Sequence, residues 1–481
     1  MADLVPILRE GGGGGGIGKT FMTPTPSPRS YAPPPATANR EALRDAREMG
    51  LTARPRTSGA NGLTDAMVRH VIAHTPRKNA RRPATIRKVR LAVGAVLGDL
   101  LACWAKDPPA MTFRASKEGT FTGEAVSYTY FRMTLDGLRA AGLVHRHGGI
   151  RYARSEMDPS DGKAARYWPT ERLLDAAEGH GLAAVGLDAH FAHEFPARPP
   201  AIPQPVLLRP FQSYGRQRSN AVPPDQRNPA ARAIREEVEA FNAFASTFDV
   251  QGCRPPRFRR MFTGRLDLHG RWYAAGSVNY QGLNKRSRGR LTIDGQPVVE
   301  LDVRASFLTI LHGLCGVPIP ESDLYDIPDV PRDVAKAAVV STLGKGSSVR
   351  RWSVGTLRRT PACAEHSAPK VAAALATRYP FLLTLGDVVA HLPDTFRASR
   401  GVVSAYLMGV EANAMTVAMG YIREHGGALA LPVHDSLIVP ESAEAIAREG
   451  IAEGFRRFAK VVPVVVSQVV AATDFPFDAA R

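Results

Sequence analysis

Two short apolar stretches of the chain each present one carboxylate. Residues 298–307 contain Asp302, and residues 428–439 contain Asp435. Each stretch has the composition of a buried strand, and an aspartate within such a run must be paired or bind a metal ion. Hard oxygen ligands on neighbouring rigid strands are what two-metal phosphoryl transfer requires. The two aspartates therefore predict a site for divalent cations, and Glu300, on the same face as Asp302, is a reserve ligand.

A pair of basic residues lies between these stretches. Arg332 and Lys336 are four residues apart and share one face of a predicted helix. A guanidinium fork and an ammonium point charge suit a triphosphate, and Lys336 could also donate a proton to departing pyrophosphate. A solvated basic face is the alternative interpretation. We expect Asp302, Asp435 and Lys336 to be the catalytic residues.

The stretch around Asp302, the Arg332/Lys336 pair and the stretch around Asp435 follow one another in the chain. In this order they resemble three motifs of family A DNA polymerases and of the related phage-type single-subunit RNA polymerases. The segment Val433-His434-Asp435-Ser436 resembles their third palm motif, Asp302 the aspartate of the first motif, and Arg332-x-x-x-Lys336 their fingers helix. The resemblance covers roughly residues 257 to 470. It implies an α+β fold in which an antiparallel sheet with helices forms a palm, with small fingers.

The same resemblance implies the ligands and further site residues. Two Mg²⁺ ions, or Mn²⁺, would bind Asp302, Asp435 and Val303, and the partners would be dNTPs and primer–template DNA. Phe307 resembles the bulky gate that excludes a ribose 2′-hydroxyl, although a core phenylalanine fits the position equally well. The nucleotide site would comprise Val303, Phe307, Arg332 and Lys336. The residues expected to contact nucleic acid are Arg257, Arg259, Arg260, Arg271, Arg288, Arg290, Lys345 and His434.

Composition favours a polyanionic partner. The chain has 481 residues with 62 Lys+Arg against 45 Asp+Glu, a formal net charge of +17. A solubility adaptation in an arginine- and alanine-rich protein is the alternative explanation. The apolar content of 44%, no bilayer-length apolar run, no signal peptide and four scattered cysteines predict a cytoplasmic protein without a membrane partner. We expect a monomer.

The composition also changes along the chain and predicts four segments. Residues 1–60 form a disordered Gly/Pro-rich tail, 61–185 a DNA-binding domain, 186–229 a Pro-rich linker and 230–481 the polymerase domain. Predicted helices over 85–104 and 126–141, followed by a basic hairpin and a return strand, resemble a winged helix. A small helical domain that packs on the palm is the alternative.

Three functions are compatible with these patterns. The leading one is a template-directed DNA polymerase of a plasmid or phage. One alternative is a single-subunit RNA polymerase or a primase-like enzyme that makes short products. The other is a non-catalytic replication or regulatory protein that binds DNA and keeps a degenerate palm, although decay would remove the metal ligands first, and both aspartates and Lys336 are present.

Overall fold

The residues that the structure describes pack into two hydrophobic cores. The structure is a computed structural model that describes residues 30–37, 42–43, 46–76, 79–115, 121, 124–149, 164–200, 202, 204–210, 221–283, 285–399 and 401–468. One core contains buried residues from Tyr31 to Phe191, and the other contains buried residues from Val206 to Ala459. Helices and several separate sheets contribute to both, so the fold class is α+β and the chain forms two domains.

In the described part of the chain, the N-terminal domain combines helices with short strands. Its elements are β1 (Arg47–Glu48), β2 (Ala53–Pro55), α1 (Ser58–Ala73), α2 (Pro83–Trp104), β3 (Thr112–Phe113), α3 (Tyr128–Ala140), β4 (Val144–His147), β5 (Arg166–Pro169), α4 (Glu171–Gly179) and β6 (Phe191–His193). Pro83 begins α2, where its missing N–H is not needed. The predicted helices over 85–104 and 126–141 are thus present as α2 and α3. They precede the antiparallel pair β4–β5, in a sheet of order β1-β3-β5-β4.

Two segment boundaries differ from the prediction. Within the expected tail, Tyr31, Met49 and Leu51 are buried, and the Tyr31 hydroxyl donates to the Leu182 carbonyl at 3.1 Å. Residues 1–29 of that tail lie outside the described residues. Within the expected linker, β6 pairs with β2, and a further strand pairs with the second domain. Glycine and proline content carries no information about long-range pairing, so it could not predict these strands and contacts.

The C-terminal domain begins inside that expected linker. Its elements are β7 (Val206–Arg209), α5 (Pro229–Ala245), β8 (Val250–Gln251), β9 (Phe258–Thr263), β10 (Arg265–Ala274), α6 (Lys285–Arg288), β11 (Thr292–Ile293), β12 (Gln296–Val303), α7 (Ser306–Leu314), α8 (Arg332–Lys345), α9 (Val354–Arg359), α10 (Ala368–Arg378), α11 (Leu385–Val388), α12 (Asp394–Arg397), α13 (Val402–Gly426), β13 (Leu431–Val433), β14 (Ser436–Pro440), α14 (Glu444–Ala459) and β15 (Val465–Gln468).

The described strands of this domain form two sheets. The larger has the order β13-β14-β12-β11-β8, and β15 pairs with β12 on the edge opposite β14. All of its pairs are antiparallel. The smaller has the order β10-β9-β7, with β7 parallel to β9. Strand β12 is thus paired along both edges and holds its side chains rigidly.

Helix α13 is the central helix of the domain. It packs on β10 and on α14, where Gly454 approaches the Ala414 backbone so closely that a Cβ would overlap the carbonyl oxygen. Among the described residues it is the one helix long and apolar enough to cross a membrane, but most of its apolar stretch is buried inside the protein. Such burial is what a core helix requires.

The two domains meet at a buried charge cluster. Glu124 of the N-terminal domain lies 3.4 Å from a guanidinium nitrogen of Arg114 and 2.6 Å from one of Arg254. Arg114 also donates to the Ser277 hydroxyl at 3.2 Å. All three charged side chains are at most 5% exposed, so both domains exclude water from the contact. Removing one partner from such a buried cluster leaves an uncompensated charge and is strongly destabilising.

Candidate active site

The two predicted metal ligands lie at the same end of adjacent strands. Asp302 of β12 is the Cα partner of Ser436, the first residue of β14. Asp435 directly precedes Ser436, and its carbonyl accepts a hydrogen bond from the Val303 amide at 3.1 Å. His434 adopts φ 59° in the turn between β13 and β14, which lets the hairpin reverse within two residues. The pairing of β12 with β14 therefore brings Asp302, Asp435 and Val303 together.

The charges around Asp302 identify its neighbours. Burial first, and then the negative charges of Asp435 and Glu300, raise the pKa of this carboxyl against the opposing effect of Lys336 and Lys285, and the net pKa is about 6 instead of 3.8. Two carboxylates that interact in this way favour the binding of a cation between them. Because Lys336 contributes to the same pKa, the basic face of α8 lies within electrostatic range of the aspartates.

The donor set fits a hard divalent cation. Among the residues that the structure describes, no three His, Cys, Asp or Glu side chains form a group that could hold a metal ion. The candidate ligands are therefore two carboxylates, Asp302 and Asp435, and the main-chain carbonyl of Val303. Oxygen donors of this kind suit Mg²⁺, which usually keeps several waters and binds one or two carboxylates plus substrate phosphates.

Glu300 and Arg288 have different roles from those expected. The Arg288 guanidinium binds both carboxylate oxygens of Glu300 at 2.9 Å, and the Ser436 hydroxyl donates to the same carboxylate at 2.9 Å. Both side chains are largely buried. This bidentate pair neutralises Glu300, which corrects its expected role as a reserve ligand. It also corrects the expected DNA contact of Arg288, whose charge is used inside the protein.

Helix α8 presents its basic residues to solvent. Arg332, Lys336 and Val340 are exposed at four-residue intervals, while the residues on the opposite side are buried. Arg332 lies at the first residue of the helix, 2.5 Å from Asp323 and with its guanidinium 5.3 Å from the centre of the Tyr325 ring. The pKa of Tyr325 is raised to about 12, mainly by burial, with Arg332 lowering it and the charge of Asp435 among those that raise it. The start of α8 therefore lies near the hairpin.

A buried carboxylate that sequence patterns did not single out joins three elements beside Asp302. Glu411 of α13 is fully buried and accepts hydrogen bonds from Arg271 at 2.8 Å and from the Ser306 hydroxyl at 2.7 Å. The Arg271 guanidinium lies 5.6 Å from the centre of the half-buried Phe307 ring. The expected DNA contact of Arg271 is therefore corrected: its charge is paired with Glu411.

Basic and aromatic side chains surround Tyr273 on β10. Burial raises the pKa of Tyr273, while the charges of Arg271, Arg209 and Arg259 lower it. Its ring meets His434 edge-on at 5.9 Å, and its hydroxyl lies 3.3 Å from Nε2 of His269. Arg259 is the Cα partner of Tyr273 on the neighbouring strand. This combination of cations and rings next to the hairpin is suited to a phosphate backbone and stacked bases.

The remaining expected nucleic-acid contacts divide into three groups. Arg260 is 3% exposed and donates to Glu237, Asn413 and the Gly270 carbonyl, so its expected DNA contact is wrong. Arg257 is half-buried just before β9, and Arg290 is exposed in the turn before β11. Lys345 donates to the Arg351 carbonyl at 3.4 Å. It lies at the far end of α8, about 14 Å along the helix axis from Lys336.

Sequence reasoning missed Glu411, Arg209 and Tyr325. Glu411 carries a weak signal, because an acidic residue in the middle of an apolar helix needs a buried partner. Arg209 lies in the proline-rich segment that we interpreted as a linker, and no local pattern distinguishes it. Tyr325 precedes the Arg332 motif in a loop, where periodicity gives no information.

No model of a known protein family matches the chain, and no curated protein matches it. The resemblance to family A polymerases therefore rests on Asp302, Arg332, Lys336 and Asp435 themselves. The elements that carry these residues, β12, α8 and the β13–β14 hairpin, are neighbours in the structure.

We expect the substitution Asp302→Asn to stabilise the metal-free protein at neutral pH. The pKa of Asp302 is about 6 in the folded chain against 3.8 when unfolded, so the folded state binds the proton more tightly. Protonation of Asp302 therefore stabilises the folded state. This stabilisation is complete below pH 3.8 and is lost as the pH rises through about 6. Removing the charge should raise the free energy of unfolding by roughly 1 kcal/mol, which is less than the full pKa shift implies because solvent screens the charge.

The measurement is thermal unfolding in EDTA at pH 7.5 and pH 4. The stabilisation should be present at pH 7.5 and smaller at pH 4. Asp294→Asn is the matched control, because Asp294 is exposed in the turn before β12 and asparagine tolerates its φ of 49°. Equal midpoints for wild type and Asp302→Asn at pH 7.5 would contradict the electrostatic description of the site.

Proposed function

We propose that the protein is a template-directed DNA polymerase that transfers a nucleotide from a dNTP to a primer 3′ end. The observation that carries the proposal is the adjacency of Asp302 and Asp435 on paired strands, within electrostatic range of Lys336. Two Mg²⁺ ions, or Mn²⁺, held by these aspartates and the Val303 carbonyl would stabilise the attacking and leaving oxygens during phosphoryl transfer. The α+β domain of residues 206–468 would then supply the palm and the small fingers.

The exposed face of α8 is suited to the triphosphate. The Lys336 ammonium would hold the phosphates and donate a proton to departing pyrophosphate, while Arg332 supplies a planar fork. The present partner of Arg332 is Asp323, and the Arg332 side chain is 59% exposed. Exposed ion pairs contribute about 0 to 1 kcal/mol, so a triphosphate can displace Asp323 at little cost.

The primer–template would bind along the face around Tyr273. Arg259 and Arg209 offer charge there, and Tyr273 with His434 offers rings for stacking. The N-terminal domain would add a second contact with duplex DNA, since its helices α1 to α3 and the pair β4–β5 follow the order of a winged helix. Exposed basic residues begin α2, and Lys88 lies 5.9 Å from the Tyr130 ring of α3.

The test of the proposal is primer extension by the full chain with Mg²⁺ and a DNA primer–template. We expect extension with dNTPs and a loss of at least about 1000-fold in rate for Asp435→Asn, because a metal-stabilised transition state loses several kcal/mol. DNA binding should change little, since the basic surface is intact. Asp294→Asn is again the control and should extend normally.

Other outcomes of this assay favour the alternative functions. Efficient extension with NTPs instead of dNTPs would support an RNA polymerase or primase-like enzyme. Absence of extension with either substrate, together with DNA binding, would support a non-catalytic DNA-binding protein. Asp435→Asn activity equal to that of wild type would exclude the candidate site as the place of the chemistry.

Salt dependence tests the contact of the N-terminal domain with DNA. We expect the logarithm of affinity of the full chain for duplex DNA to fall linearly with the logarithm of salt concentration, as counterion release requires. Replacing Arg82, Arg87 and Lys88 with glutamine should reduce the slope by about 3, at roughly 0.9 per lost phosphate contact. Fluorescence anisotropy in a potassium chloride series measures this slope.

A matched triple substitution controls for lost charge. Exposed basic residues at the end of α14, Arg456, Arg457 and Lys460, can be replaced with glutamine in the same way. Equal slopes for both triple variants would show that α2 makes no special contact with DNA.

Phe307→Ala tests the choice between dNTPs and NTPs. A ring that closes the sugar pocket must bury a ribose 2′-hydroxyl without a partner, which costs about 1 to 3 kcal/mol. We therefore expect the wild type to prefer dNTPs and the variant to lose about one to two decades of that preference while retaining dNTP incorporation. Single-nucleotide incorporation kinetics give both values of kcat/KM. Equal use of dNTPs and NTPs by the wild type would show that Phe307 is a core residue.

A further inference from the structure

Both oxygens of the buried Glu411 carboxylate accept hydrogen bonds from side chains on two other elements. One oxygen accepts a hydrogen bond from Nε of Arg271 on β10 at 2.8 Å, and Nη2 of the same guanidinium lies 2.5 Å from that oxygen in an ion pair. The other oxygen accepts a hydrogen bond from the Ser306 hydroxyl at 2.7 Å. Glu411 is 0% exposed, so these bonds form away from water, where charge-assisted bonds are strong and specific in geometry.

Both partners of Glu411 are neighbours of Phe307. Ser306 precedes Phe307 in the chain and is the first residue of α7, while the Arg271 guanidinium lies 5.6 Å from the centre of the Phe307 ring. Ala305, which precedes Ser306, has φ 48°, an unfavourable conformation for a residue with a side chain. A turn of this kind persists only where surrounding contacts fix it, and the bond from Ser306 to Glu411 is one such contact.

The position of the ring thus depends on Glu411 from two sides. Ser306, the residue before Phe307, is hydrogen-bonded to Glu411, which restrains the main chain there. The face of the Phe307 ring is covered by the Arg271 guanidinium, which Glu411 holds in place. The Phe307 side chain has no hydrogen-bonding group that could fix the ring. Its half-buried ring would otherwise be restrained by apolar packing alone.

We propose that Glu411 is a positioning residue for sugar selection, which acts through Ser306 and Arg271 to hold the Phe307 ring against the nucleotide sugar. This inference rests on the proposed polymerase function. Steric discrimination against a single hydroxyl requires that the ring cannot retreat by the width of an oxygen atom. Without the Arg271 guanidinium on its face and the hydrogen bond that fixes Ser306, the Phe307 ring would move back and admit the 2′-hydroxyl.

A double-mutant cycle on the full chain tests the proposal. The ratio of kcat/KM for a dNTP to that for the matching NTP is measured for wild type, Glu411→Gln, Phe307→Ala and the double variant. Glu411→Gln preserves shape but removes the charge that holds Arg271, and we expect the ratio to fall about tenfold. In the Phe307→Ala background the same change should alter the ratio by less than about twofold, because the effect is transmitted by the ring.

The ratio separates positioning from a general structural role. Partial unfolding lowers both values of kcat/KM equally and leaves the ratio unchanged. Glu424→Gln is the control on the same helix, since Glu424 is exposed and pairs with Arg423 at 3.1 Å. If Glu411→Gln does not fold, Ser306→Ala removes one of the bonds alone and should lower the ratio in the same direction.

The failures of the two proposals can be distinguished. A wild type that extends primers while Glu411→Gln or Ser306→Ala leaves its ratio unchanged would overturn the positioning role alone. An equal fall of the ratio with and without the Phe307 ring would also overturn it. A wild type that incorporates neither dNTPs nor NTPs would overturn the polymerase function and this inference together.

Discussion

Antiparallel pairing of β12 with β14 concentrates negative charge in one partly buried corner of the protein. Asp302 and Asp435 meet at that corner, Glu300 lies two residues away, and the charge of Asp435 also reaches Glu411. Much of the surrounding structure compensates for this repulsion. Arg288 neutralises Glu300 and Arg271 neutralises Glu411, in both cases through hydrogen-bonded ion pairs.

The aspartate pair is compensated differently. The cations that lower the pKa of Asp302 are Lys336 and Lys285, and both side chains are exposed. Exposed lysines are mobile and screened by water, so they leave part of the repulsion in place. The corner thus combines two glutamates, each paired with an arginine, and two aspartates near exposed lysines. The proposed ligands therefore differ from the two glutamates in the kind of cation that faces them.

Local patterns in the sequence predicted the elements that carry the site. The run around Asp435, expected as one strand, folds as β13 and β14 with Asp435 in the turn between them. The apolar run around Asp302 predicted β12, and the spacing of Arg332 and Lys336 predicted the exposed face of α8. These predictions succeed because burial imposes a period of two or of 3.6 residues on any segment that packs against a core.

Partners distant in sequence could not be predicted. Arg260 was expected on the DNA surface, yet it bonds to Asn413, 153 residues later, and Arg271 bonds to Glu411 across 140 residues. An arginine in an aromatic-rich strand has the same local signature whether it faces solvent or a buried carboxylate. The strands β2 and β7 were missed for the same reason, because their pairing partners lie far along the chain.

The contact between the two domains determines where the chain can be divided. The loop that carries Ser277 leads to Tyr280 and Gln281, whose side chains both donate to the Pro432 carbonyl, two residues before His434. A fragment that begins at residue 230 would separate Arg254 from Glu124 and would remove β7 from β9. The β13–β14 hairpin therefore contacts a loop that the N-terminal domain holds through Arg114. A fragment for expression and crystallisation should accordingly contain both domains.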